Sequence, residues 1–242
     1  MKSTHQHGPF FLPVNDPNHA FPDPKLAMDE PNGLLAVGGD LSAQRLINAY
    51  RHGIFPWYNA GQPILWWSPN PRAVIFPDLF ETSRSLKKTI NKGHYTVTYD
   101  RAFADVIHAC AQPRHGVDGT WISDEMATAY NLLHTMGVAH SLECWANDRL
   151  AGGLYGIALG RVFFGESMFY RDRDASKVAF AYLVQRLRQW GYALIDCQIS
   201  SAHVASLGAI DIPRGEFLDL LRRWSTTRDP DGAWQPSDMG NP

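Results

Sequence analysis

The pattern of apolar and polar positions is most informative over residues 149–198. Residues 150–159 form an apolar run punctuated by glycine, and residues 162–169 form a second run in which one carboxylate, Glu166, sits among Val, Phe and Met. Gly160-Arg161 between them predicts a two-residue hairpin turn. Ala179, Leu183, Leu187 and Trp190 then recur at helical spacing. That spacing predicts a helix from Ala175 to about Trp190, with Asp174 as N-cap and Gly191 just past its last turn. Residues 192–199 form a further apolar run that carries Asp196 and Gln198. Alternate residues of a strand share a face, so these two side chains should project together beside Leu194.

The rest of the chain supplies shorter elements. Ser42 is placed to cap a helix with Leu46, Ile47, Ala49 and Tyr50 on its apolar face, ending at Gly53. Gly38-Gly39 lacks the spacing of a phosphate loop and reads as a tight turn. Residues 54–58 read as an aromatic loop. Residues 63–77 read as a short strand over Trp66-Trp67 followed by a rigid, proline-rich linker. This divides the chain into a small N-terminal domain, 1–70, and a larger domain, 71–242. Ser83 starts a short helix on which Arg84, Lys87 and Lys88 share a face. That face is either a solvated surface or a contact for phosphate. Strands over 94–99 and 139–146 and helices over 102–111, 124–136 and 215–224 complete an α+β fold with a mixed central sheet flanked by helices.

Composition narrows the class. The chain has 242 residues, 45% of them hydrophobic and 19% charged, as in ordinary globular proteins. No apolar run approaches the ~20 residues a membrane helix needs, so no membrane association is expected. Cys110, Cys144 and Cys197 lack paired spacing, which favours a reducing cytoplasm and gives no metal motif. With a net charge of −2, any nucleic-acid contact must be local.

Asp196 and Gln198 are costly in an apolar strand unless bonded or useful. They are either a strand end meeting solvent or part of a site, and Glu166 is either a buried acid paired with an arginine or a site residue. The element order over 71–242 resembles the GNAT acyltransferase fold. Members using acetyl-CoA place a glycine-rich pyrophosphate loop before the helix that here begins at Ala175. Residues 170–177, YRDRDASK, hold no glycine and two acids, so a coenzyme A pyrophosphate should bind poorly.

The segments EPNGLLAVGGDLS, AYRHGIFPWY, PILWWSPNPRAV, GTWI, FFGESMF, DASK, LIDCQ and HVASLGA occur in this order between Glu30 and Arg214. As a set they resemble the bacterial leucyl/phenylalanyl-tRNA–protein transferases. The resemblance implies a cytoplasmic enzyme without metal or other cofactor. Its partners are aminoacyl-tRNA charged with Leu, Phe or, less well, Met, and proteins whose N-terminal residue is Arg or Lys. The transferred residue marks the acceptor for degradation. The resemblance assigns the catalytic centre to Asp196 and Gln198, with Asp196 polarising the Gln198 amide and Glu166 holding a substrate amino group. It assigns the amino-acid pocket to Leu154, Phe163, Met168, Leu183 and Ile195. Trp57 and Trp121 would stack on the terminal adenosine, with Tyr50 and Tyr130 near them, and Arg84, Lys87 and Lys88 would meet tRNA phosphates. In a regular strand Ile195 faces away from Asp196, so either a bulge interrupts the strand or Ile195 lies outside the pocket wall. The proton route stays open between the Asp196/Gln198 pair and a ribose hydroxyl of the substrate. Two other readings stay open as well: a coenzyme A-dependent N-acetyltransferase, and a non-catalytic module that recognises basic N-termini.

Overall fold

A computed structural model of the protein describes residues 8–112, 122–230 and 232–234. The N-terminal part contains β1 (Phe10–Leu12), β2 (Leu34–Gly38), α1 (Ala43–Arg51), β3 (Phe55–Pro56) and β4 (Leu65–Trp67). Its strands form a four-stranded sheet in the order β1-β2-β4-β3. The expected aromatic loop thus contains a short strand, β3. Ser42 precedes α1, but its side chain makes no capping bond. Instead its backbone N–H donates to Asp40 Oδ1 at 3.0 Å. Arg45 on α1 is buried, and its Nη2 donates to the carbonyls of Pro13 and Asp16 and to Asp40 Oδ2, which ties the N-terminal segment to the helix.

The second part contains β5 (Arg72–Ile75), α2 (Arg84–Asn91), β6 (Thr96–Tyr99), α3 (Phe103–Cys110), α4 (Asp124–Thr135), β7 (Ala139–Ala146), β8 (Arg149–Leu159) and β9 (Val162–Tyr170). It continues with α5 (Ala175–Gln189), β10 (Leu194–Gln198), α6 (Ala202–Ser206), β11 (Ile210–Ile212) and α7 (Arg214–Trp224). The seven strands pair in the order β11-β5-β10-β9-β8-β7-β6. The expected α+β architecture, with helices on a mixed sheet, is the one observed. Arg72, read as the end of a linker, opens β5, an inner strand between β11 and β10 with all four residues buried. β9 and β10 pair in parallel and are joined by α5, as a crossover requires.

Local signals explain most of these elements. Gly160 and Arg161 make the tight turn between β8 and β9, and Leu159 opposes Val162. The Ser123 side chain accepts from the Met126 N–H and caps α4. Asp174 is a correction: its backbone is left-handed, at φ 63°, and its side chain makes no capping bond to α5. In that conformation the carboxylate turns toward Arg173 and Lys177, at 3.7 and 3.9 Å.

Apolar side chains pack on both faces of the larger sheet. One cluster joins α1, α3, α4 and α7 through Tyr50, Phe103, Tyr130, Tyr155, Phe164 and Phe217 and reaches Trp66 of the smaller sheet. The other lies under α5 and holds Leu154, Phe163, Leu183, Val184, Leu187 and Ile195. Gly156 of β8 permits the tight packing on this side. A Cβ there would lie 2.2 Å from the Phe164 carbonyl oxygen and 2.6 Å from two atoms of the Phe163 ring. Backbone cannot yield as a flexible side chain does. Gly156→Ala should therefore destabilise the fold by at least about 2 kcal/mol in urea unfolding, whereas a change below about 0.5 kcal/mol would mean that the strand relaxes freely.

Candidate active site

β9 and β10 stay paired from Leu194 opposite Val162 to Asp196 opposite Phe164, and that parallel ladder ends there. Both strands are irregular at this point. Along β9, Gly165 opposes Gly156 and Ser167 opposes Tyr155, so Glu166 is an extra residue. Along β10, Asp196 opposes Val74 and Gln198 opposes Ala73, so Cys197 is extra. Gln198 takes a left-handed backbone with φ 64°. Bulges re-aim side chains, and these two aim Glu166 and Gln198 at each other. They also reset the strand phase. Phe163 and Met168, an odd number of residues apart, both pack on the α5 side, which an unbroken strand would forbid.

Where the strands part, an apolar cavity of about 140 Å³ opens. Leu154, Phe163, Met168, Leu183 and Ile195 all line it, together with Glu166 and Gln198. His203, Val204 and Leu207 add a side from α6 and the residue after it.

The polar edge of this cavity is a chain of hydrogen bonds. Gln198 Nε2 donates to Glu166 Oε1 at 2.7 Å, and the Tyr130 hydroxyl donates to Glu166 Oε2 at 2.9 Å. The Tyr130 hydroxyl is bonded in turn to that of Tyr50. Desolvation by the surrounding walls pushes the Glu166 carboxyl from its ordinary 4.5 to about 7. Hydrogen bonds from the tyrosines and Gln198 oppose that shift, and the nearby charge of Asp196 adds to it. Burial, followed by the charge of Glu166, holds the Tyr50 and Tyr130 hydroxyls well above their ordinary range, so both remain neutral.

Asp196 does not project with Gln198, contrary to the expectation from a regular strand. It is fully buried beside the cavity rather than in its lining. Arg72 Nε donates to Oδ1 at 2.8 Å and Nη2 donates to Oδ2 at 2.6 Å. Arg72 Nη1 donates to the Gly53 carbonyl at 3.1 Å, and the guanidinium lies over the rings of Phe55 and Phe217, at 4.8 and 4.5 Å. Asp196 Oδ1 also accepts from the backbone N–H of Gln198 at 2.9 Å. Asp196 therefore holds the backbone of Gln198 and not its amide, which is bonded to Glu166. Leaving one partner of such a buried pair alone costs roughly 3–5 kcal/mol.

The profile of one protein family, described as leucyl/phenylalanyl-tRNA protein transferase, matches residues 74–222, and the profile of that family's N-terminal domain matches residues 39–70. The chain belongs to this family. It is an aminoacyltransferase. The leucyl/phenylalanyl-tRNA–protein transferase of Cellvibrio japonicus is 59% identical over 201 residues, covering 83% of this chain and 86% of that one. The enzyme of the same name from Pseudomonas fluorescens is 61% identical over 202 residues, covering 84% of this chain and 89% of that one. Among solved structures, a GCN5-related N-acetyltransferase from Kribbella flavida aligns at a TM-score of 0.37 and 10% identity, covering 68% of this chain and 58% of that one.

Of the other expected site residues of this transferase, Tyr50, Tyr130, Trp57, Arg84, Lys87 and Lys88 do not line the cavity. Tyr50 and Tyr130 need correction. Both are buried, so neither has a ring face open for stacking on a base. Trp57 is 42% exposed and packs at a tilt against Trp67, with ring centroids 5.8 Å apart. Trp121 lies outside the described residues. Arg84, Lys87 and Lys88 are exposed on α2, above the buried Leu86. Arg72 was missed. Its signal was a lone arginine heading the apolar run RAVIF.

The raised Glu166 carboxyl couples folding to pH. Between its ordinary 4.5 and about 7, the folded chain binds more protons at this group than the unfolded chain. Its contribution to stability therefore falls as pH rises through that window. Unfolding midpoints from pH 5 to 8 should show Glu166→Gln losing relative stability at the acid end and gaining it at the alkaline end. An unchanged difference across that range would contradict the raised value.

Proposed function

We propose that this protein moves Leu or Phe, and less readily Met, from aminoacyl-tRNA to the α-amino group of proteins that begin with Arg or Lys. The transfer forms a peptide bond and marks the acceptor for degradation in the cytoplasm. The observation that carries the reading is one apolar cavity with the Glu166–Gln198 pair at its edge. An apolar cavity of ~150 Å³ in another protein holds benzene, so about 140 Å³ suits a Leu or Phe side chain. Branching at Cβ would press on walls set by Ile195 and Phe163, which disfavours Val and Ile.

Aminolysis of the ester has a fixed balance. The amine nitrogen bonds to the carbonyl carbon, the bond to the ribose oxygen breaks, and the proton lost by the amine passes to that oxygen. With Gln198 Nε2 committed to Glu166, Oε1 of the same amide is the atom that orients the attacking amine. An amide is too weak a base to keep the proton. A carboxyl near 7 is matched to taking one at neutral pH, and its ionised form attracts the ammonium beforehand. Holding both reactants in one cleft supplies a large share of the rate. Trp57, and by resemblance Trp121, stack on the terminal adenosine at ~1–3 kcal/mol per base. Arg84, Lys87 and Lys88 meet the phosphates, which positions the tRNA without reading its sequence.

The test is transfer of labelled Leu from tRNA to an Arg-starting peptide. Wild type should form the peptide bond without acetyl-CoA. Gln198→Ala should lower kcat, and Glu166→Gln should raise KM for the peptide and remove the rise in rate through about pH 7. Replacing Arg84, Lys87 and Lys88 together by Ala should flatten the dependence of log affinity on log salt by about 2. Full rates in both Glu166→Gln and Gln198→Ala would contradict the assigned chemistry.

A further inference from the structure

Phe163 of the cavity lining stacks against a residue that follows α7 and is not itself in the lining. Asp229 Oδ1 accepts from the Gly160 N–H at 2.7 Å, which fastens the segment just past α7 to the β8–β9 turn. Trp234 then enters the aromatic layer on the α5 side of the sheet. Its ring stacks on His140 at 4.0 Å and 11°, and on Phe163 at 5.8 Å and 26°. It meets Trp190 at 4.9 Å, and its Nε1 donates to the Tyr192 hydroxyl at 2.8 Å. His140 is itself fixed, since its Nδ1 is bonded to Asp100 Oδ2 at 2.7 Å.

Phe163 is the link to the site. It is fully buried and lines the cavity, whereas Trp234 does not line it. Part of the Phe163 ring fills the space that a side chain on Gly156 would need. The ring therefore has β8 against one part and Trp234 against another. A wall that cannot withdraw fixes the depth of the hollow in front of it, because close-packed interiors transmit displacement rather than absorb it.

We infer that Trp234 is a specificity-determining positioning residue: by holding Phe163 it sets how deep a donor side chain the cavity accepts. This rests on the reading that the cavity takes the donor side chain. Without Trp234 the Phe163 ring can retreat, the cavity deepens, and Phe gains over Leu. A residue that only supported folding would lower transfer of both donors alike.

The measurement is kcat/KM of the full chain for Leu-tRNA and for Phe-tRNA, with an Arg-starting peptide as acceptor. Trp234→Ala should raise the Phe/Leu ratio by at least about threefold, and Trp234→Phe, which keeps a flat ring, should stay within about twofold of wild type. In a Phe163→Leu background, Trp234→Ala should leave the ratio unchanged, since the wall through which it acts is gone. If Trp234→Ala does not fold, Trp234→Leu keeps apolar volume without the flat ring and should shift the ratio in the same direction. An equal fall for both donors, an unchanged ratio, or an undiminished shift without Phe163 would overturn the inference. A wild-type chain that transfers neither donor would instead overturn the functional reading beneath it.

Discussion

A buried ion pair between Arg72 and Asp196 fixes the geometry on which the site depends. The guanidinium is held on every side: two bonds to the carboxylate, one to the Gly53 carbonyl, and an aromatic ring from each of β3 and α7. A charge pair removed from water is not a stabilising feature by default, since its desolvation can exceed the Coulombic attraction. Here it gives position. One carboxylate oxygen that binds arginine also takes the backbone N–H of Gln198, so the irregular end of β10 is tied to β5 and, through Gly53 and Phe55, to the smaller sheet.

Two bulges on neighbouring strands then do what neither strand could do alone. A regular pair of parallel strands would have placed Glu166 and Gln198 along a continuous ladder with no space between them. Their interruption lets the strands part and opens the apolar hollow, and a carboxylate and an amide meet at its edge. The same walls that shape the hollow desolvate Glu166 and bring its proton affinity near neutrality. Cavity shape and acid–base character thus have one cause. Buried Tyr130, its hydroxyl bonded to that of Tyr50, completes the cluster by donating to the carboxylate.

Long elements were legible because a long apolar run or helical stripe bounded by turn and cap residues stands out in the chain. β7, β8, β9, α4 and α5 all lie close to where alternation, turn residues and helical spacing put them. Several short ones were not: α6 and β11 have too few residues to show a period, and the two-residue β3 was hidden in an aromatic loop. The bulges left no compositional mark, so the strand rule placed Asp196 and Gln198 on one face when they diverge. The sequence did contain a sign of this, because Ile195 and Asp196 could not both belong to one wall of a regular strand. The resemblance set Tyr50 and Tyr130 near the terminal adenosine, yet both rings are buried, their hydroxyls bond to each other, and that of Tyr130 bonds to Glu166. Asp174 has the chemistry of a cap but a left-handed backbone that turns it away.

The most direct test is a double-mutant cycle on single-turnover transfer at saturating substrates, using folded Asp196→Asn, Gln198→Ala and the combined variant. If Asp196 acts by holding the backbone of Gln198, Asp196→Asn slows transfer, and the combined variant is no slower than Gln198→Ala alone. Losses that multiply in the combined variant would show that Asp196 acts independently of Gln198 and would contradict the placement of the ion pair at the root of the site.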